Sequence, residues 1–249
     1  MLTKSFFIFL ISTFSICLSS QGQQRITSKL NKHFIEIGEA DSILHRFTKV
    51  ENTQKSGITV TWIFDLENRM VRQSKKGFNP TENFNQEITE TFDSTNQLIS
   101  QRILNLDNSK YVTFYYKQGI KKAQVINHGD DVFEIWRDSS DSLYMSNYDE
   151  FMPSIEKSLW YQFLAENLTY PSQARRSGAT GTVILALLIS KNGEIIKIEI
   201  ANESQVNPHL SKEALRVAKL FKGRFIPAVN LEGDPEESWL NIPVRFKLG

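Results

Sequence analysis

The sequence predicts an α+β protein in two parts: an antiparallel β-meander over residues 25–155, then a C-terminal unit of strands packed on helices over 156–249. Three observations carry this prediction. From Gly57 onward, short runs of alternating apolar residues are separated by turns rich in Asn, Asp and Gly, and the pattern repeats. Residues 182–189 form an unbroken aliphatic run, closed by Lys191-Asn192-Gly193 and followed by an alternating strand. Further on, Ala214, Val217, Ala218 and Phe221 recur at three- and four-residue steps, the spacing of one helix face.

The chain of 249 residues is 40% hydrophobic and 23% charged, enough for one large core or two modest ones. With 29 basic against 28 acidic residues it carries no large basic field, so nucleic acid is not an expected partner. Residues 1–22 read as a signal peptide: Lys4 is the positive flank, residues 6–18 the apolar region, and Ser20-Gln21-Gly22 the small-residue cleavage site. The apolar region is shorter than the roughly 20 residues of a spanning helix. The mature chain is therefore expected in the periplasm without a stable membrane span, the alternative being an inner-membrane anchor kept by an uncleaved N-terminus. Cys17 lies inside the signal, which leaves the mature chain without thiol chemistry.

Over residues 25–46, Ile35 and Ile37, with Phe47 beyond, are compatible with a first strand. The meander proper contains an internal echo: Phe64-Asp65 with Asn68 is matched by Phe92-Asp93 with Asn96 at the same offsets. Hairpins over 111–127, turning at Gln118-Gly119, and over 132–148, turning at Asp138 to Asp141, continue the rhythm. Trp62, Phe64, Phe92, Phe114, Tyr116, Phe133 and Trp136 fill a core or one sheet face. The series is similar to hairpin-repeat modules of the MORN-like sort, a likeness that carries no function across. Residues 149–158, with Pro153, mark the junction, and Leu159, Phe163 and Leu164, with Trp160 alongside, suit a short amphipathic helix.

In the C-terminal unit, Asn192-Gly193 accepts the positive φ of a two-residue hairpin turn. The second strand is expected to bury Ile196, Ile198 and Ile200 and expose Lys197 and Glu199. Ser211 is placed to cap the following helix, with Leu210 and Leu215 as a hydrophobic staple and Gly223 as its stop. The last strand, over 239–248, puts Leu240, Ile242, Val244, Phe246 and Leu248 on one face, and Trp239, Asn241, Pro243, Arg245 and Lys247 on the other. Pro243 lacks an N–H, so this strand should lie at a sheet edge.

These residues carry a resemblance. Tyr170-Pro171, Ala174, Gly178, Gly181, the strand pair around Asn192-Gly193, Leu210 with Ala214, Phe225 with Pro227-Ala228, Gly233 and Pro243-Val244-Arg245-Phe246 together resemble the C-terminal domain of TonB-type energy transducers of double-membraned bacteria. The resemblance implies a three-stranded antiparallel sheet backed by helices, which binds a short extended peptide of an outer-membrane receptor, or another envelope protein, as an added strand. The peptide-contacting residues it points to are Tyr170, Pro171, Trp239, Asn241, Pro243 and Arg245. Tyr170-Pro171 has a second reading, a turn whose ring packs on the sheet. A rival function is a structural envelope scaffold that pairs with itself as a homodimer through the last strand. The chain departs from the transducers in having no histidine in residues 6–18 and no proline-rich spacer, which leaves coupling to a motor in question.

Catalysis finds no constellation. His33, His45, His128 and His209 form no short metal-ligand pair, and Asp130-Asp131 and Asp138 with Asp141 suit turns better than acid–base chemistry. No catalytic residue, metal or cofactor is expected.

Overall fold

A computed structural model describes residues 24–248. The signal peptide expected over residues 1–22, with Cys17, lies outside the described residues. Eleven strands come first: β1 (Gln24–Leu30), β2 (Glu36–Ile37), β3 (Phe47–Thr53), β4 (Thr59–Asp65), β5 (Met70–Asn79), β6 (Phe84–Phe92), β7 (Leu98–Asn105), β8 (Tyr111–Lys117), β9 (Ile120–Gly129), β10 (Val132–Arg137) and β11 (Ser142–Ser146). They form one antiparallel sheet in which β3 to β11 each lie beside their sequence neighbours, while β1 sits between β2 and β3. The first strand is therefore β1, which precedes Ile35 and Ile37; Phe47 opens β3.

The internal echo is one turn used twice. Asp65 Oδ1 accepts the N–H groups of Glu67 and Arg69 at 2.9 Å each, and Asp93 Oδ1 accepts those of Thr95 at 2.8 Å and Gln97 at 2.9 Å. Asn68 and Asn96 then take the left-handed conformation, φ 60° and 61°, which asparagine tolerates. Asp130 and Asp131, both at positive φ, make the two-residue turn between β9 and β10. The acidic pair is thus spent on backbone geometry.

Cross-strand register shows which side chains share a face. Val50, Trp62, Gln73, Glu90, Gln101, Phe114, Gln124 and Trp136 form one continuous row across β3 to β10. The aromatic residues of this face are only half-buried, whereas Phe133, on the opposite face, joins a buried cluster with Val125 and Ile135. Most of the meander is consequently a single layer.

After the junction come α1 (Lys157–Asn167), α2 (Ser172–Arg176), β12 (Gly181–Ile189), β13 (Ile195–Ile200), α3 (Pro208–Leu220), the short strands β14 (Ala228–Val229) and β15 (Pro235–Glu236), and β16 (Ser238–Phe246). The sheet is antiparallel in the order β13-β12-β16. Its inner face, Val183, Leu185, Leu187, Ile189, Ile242, Val244 and Phe246, packs with Leu210, Ala214 and Ala218 of α3 and Trp160 of α1 into one core. Burying each of these large side chains contributes on the order of 2 kcal/mol. That face is what fixes β16 in place.

Several local expectations are corrected. The hairpin loop has three residues: Gly193 alone is left-handed (φ 78°), Ser190 Oγ accepts from the N–H groups of Asn192 and Glu194, and the register shifts at Leu188/Ile189. The shift turns Ile195 toward the core and leaves Ile196 half exposed. Asn207 caps α3, accepting the N–H of His209 at 2.9 Å, with Pro208 in the first turn; Ser211 is buried inside the helix. The helix ends at Phe221 and not at Gly223. In α1, Trp160 is the buried residue while Leu159 stays exposed, and Leu248 lies beyond the end of β16.

The meander meets the C-terminal unit at two seams. At one, Asn31 Nδ2 donates to Ala201 O at 2.7 Å and Gln205 Nε2 to Glu36 O at 2.7 Å. At the other, Ser154 bridges Ile226, Val229 N–H donates to Glu150 O at 2.8 Å, and Arg137 donates through Nη1 to Asn230 O at 2.9 Å and through Nη2 to the Glu150 carboxylate at 3.1 Å. Strands about 4.8 Å apart would hold the ends of a flat eleven-stranded sheet nearly 50 Å apart. Contact at both ends with one small unit means the meander curves around it.

Candidate functional site

β16 is an edge strand, and its alternation places Trp239, Asn241, Pro243 and Arg245 together on the outer, exposed face. Backbone phase then follows from β12. Ile184 spends its C=O on the N–H of Ala201 and its N–H on Asn202 Oδ1, both at 2.8 Å and both on the β13 side. Its register partner across the other ladder, Pro243, is therefore a non-hydrogen-bonded neighbour. By the same phase, Trp239, Asn241, Pro243 and Arg245 turn their main-chain groups to the open edge. The missing donor of Pro243 faces that edge, so the edge offers N–H groups at 239, 241 and 245 and carbonyls at all four positions.

Tyr170 is placed differently. Its ring meets Phe246 edge-on at 5.8 Å, its hydroxyl donates to Ala179 O, and the Arg175 guanidinium lies 5.5 Å over the ring. It packs against the core face at the far end of β16, beside Pro171, which opens α2. The six candidate residues thus divide into four on the outer face and two on the helix side.

A neighbouring cluster escaped the sequence reading. The turn between β1 and β2 lies on the outer face of the sheet: His33 meets the Trp239 ring edge-on at 5.0 Å, and Lys32 Nζ sits 5.5 Å from that ring. Glu199, on β13, binds Lys32 at 2.7 Å, His33 Nε2 at 2.8 Å and Lys197 at 2.8 Å. Burial alone would raise the Glu199 carboxyl, but hydrogen bonds from Lys197, Lys32 and His33 outweigh it and bring its pKa down to about 2. The outward Lys197 and Glu199 were readable as a polar face; that one of them binds residues of the first turn was not.

At the other end of β16, Arg245 and Lys247 have no carboxylate within ion-pair distance among the described residues. The edge therefore carries free positive charge where an added strand would run.

Residues 166–248 match the family described as Gram-negative bacterial TonB protein C-terminal. The match begins within α1 and takes in the whole three-stranded sheet, leaving the meander outside. No curated protein and no solved structure matches the chain. Among the described residues, no group of His, Cys, Asp and Glu is arranged to hold a metal ion, and no helix is long and apolar enough to cross a membrane.

Proposed function

We propose that the TonB-like unit recognises extended peptide segments of outer-membrane transport proteins, by taking them up as a fourth strand beside β16, and that the protein does so in the periplasm as a non-enzymatic partner. The observation that carries the reading is the open edge itself: main-chain donors and acceptors of Trp239, Asn241 and Arg245 face outward on a strand whose other side is locked into the core. The family match of residues 166–248 supports the same role.

Pro243 leaves a gap in the edge's row of donors. Whichever residue of an added strand lies opposite it finds no donor for its carbonyl, so that pair makes one hydrogen bond where the pairs at Asn241 and Arg245 make two. Backbone pairing sets affinity, while Asn241 and Arg245 tune side-chain preference. Tyr170 and Pro171 act from the helix side, by holding the Phe246 end of the strand.

Amide shifts of the labelled protein, titrated with a receptor-derived peptide, test this. Perturbations should gather at residues 238–247. Arg245→Glu should weaken an acidic peptide by on the order of 1 kcal/mol without changing the unfolding temperature. Shifts confined to the meander would overturn the reading, and a concentration-dependent dimer lost on mutating β16 would replace it with self-assembly. Intact mass of the mature protein tests the location: the chain should start near Gln23.

A further inference from the structure

The three-stranded sheet has a second free edge, at β13, and the groove beside it is built from different chemistry. The pairing of Ala201 with Ile184 sets the ladder phase, so Ile198 turns its N–H and C=O away from β12 to the open side. Between this edge and the chain leaving α3 runs a groove of about 680 Å³. Its floor is apolar: Ile198, Phe221 and Ile196, the last 50% exposed because the register shift expels it from the core. Its rim is cationic. Lys219, Lys222 and Arg224 are exposed, and none has a carboxylate within 4.0 Å among the described residues.

Two ordinary explanations cover part of this. Lys219, in the last turn of α3, answers the helix's terminal carbonyls, and a bulge with nearby lysines protects an edge against unwanted pairing. Neither accounts for Lys222 and Arg224, which lie beyond the helix, nor for an isoleucine left half exposed among cations. The strand's own cation, Lys197, is already paired with Glu199 on the outer face, and the groove holds a single acid, Glu194. Charge and shape together select the occupant.

We infer that this groove docks an extended segment of a partner protein in which acidic and aliphatic residues alternate, paired along β13 with its carboxylates toward Lys219, Lys222 and Arg224. Alternation matters because successive side chains of a strand point to opposite faces, so one set can rest on Ile196 and Phe221 while the other reaches the rim. The site is independent of the one beside β16.

The test uses the full mature chain, isotopically labelled, and a peptide of roughly ten residues alternating Glu and Val. Amide shifts should appear at residues 194–198 and 219–224, and binding should weaken severalfold between about 50 and about 500 mM salt. Lys222→Glu combined with Arg224→Glu should weaken binding about tenfold while leaving the unfolding temperature unchanged. The same peptide with alternate backbone amides methylated should lose binding. Equal binding of a Lys-Val peptide, or full binding of the methylated one, would overturn the inference, the second marking a patch that reads charge alone. Charge-dependent binding to phosphatidylglycerol vesicles, with no peptide binding, would overturn it in favour of a lipid surface.

Discussion

The meander and the TonB-like sheet spend their apolar residues in opposite ways. In β12, Val183, Leu185, Ala186, Leu187 and Ile189 are fully buried, sealed by helices on one side and by flanking strands on the other. In β5, β6 and β7 no residue is buried at all, although Ile88, Phe92 and Ile103 are no less apolar. The three-stranded sheet is therefore held by a common core, which makes each inward residue answerable to all the others. The single-layer part of the meander is held by pairing between neighbours, and its side chains shield one another across strands. Cooperativity belongs to the first region and tolerance to the second.

The largest expected effect follows directly. Residues 156–249 alone should unfold cooperatively, because apart from Ile155 every residue of their core lies within the fragment. Val244→Asp, which buries a charge in that core, should cost several kcal/mol and abolish the fold, whereas Ile88→Asp in the full chain should cost about 1 kcal/mol. Thermal unfolding monitored by circular dichroism measures both. Equal penalties at the two positions would erase the contrast, and a non-cooperative fragment would make the unit dependent on the meander.

An intermediate effect is expected at Gly193. A Cβ there would meet Phe225 O at 2.1 Å, on backbone that takes φ 78° and receives the Phe225 N–H on the Gly193 carbonyl at 2.9 Å. Gly193→Ala should cost on the order of 3 kcal/mol or more, against about 1 kcal/mol at Gly119, where φ is 74° but nothing lies within 4 Å of the added carbon. Denaturant midpoints would show the difference.

The smallest effect concerns the seam between the regions. The folded Glu199 carboxyl, at about 2, lies below its unfolded value near 4.3, so its contribution is present above pH ~4.3 and fades as pH falls toward 2. Hydrogen exchange at the turn around His33 should rise over that window before either sheet melts. Glu199→Gln should remove this pH dependence of the turn while leaving the core of the TonB-like unit protected.

The same contrast explains what could be read from the sequence. Alternation in β16 was legible because a shared core demands it, and Phe-Asp with Asn was legible because an Asx turn depends on few residues; Asn192-Gly193 marked the place of the hairpin but not its type, since Gly193 alone is left-handed. Ile196 was misplaced because a register shift breaks the period that the reading relied on. β1 was missed because a strand in a single layer has little need to alternate: Ile26, its one apolar residue besides Leu30, is 43% exposed. The cap of α3 was assigned to Ser211 although Asn207-Pro208 precedes it, since both satisfy the local rule and only the packing of Leu210 and Ser211 chooses. Least legible was the turn on the outer face, whose Asn31 meets Ala201 across 170 positions of sequence. No local pattern encodes such a contact.

Nine consecutive register pairs join β16 to β12, from Gly181 with Phe246 to Ile189 with Ser238. A load applied along the strand axis, as by a partner tugging on a segment aligned with β16, strains the hydrogen bonds of this ladder in parallel, so they must fail together. The same load applied across the strand would unzip them singly. An edge strand with a long antiparallel partner is thus a grip whose strength depends on direction, firm to a lengthwise pull and quick to release a sideways one.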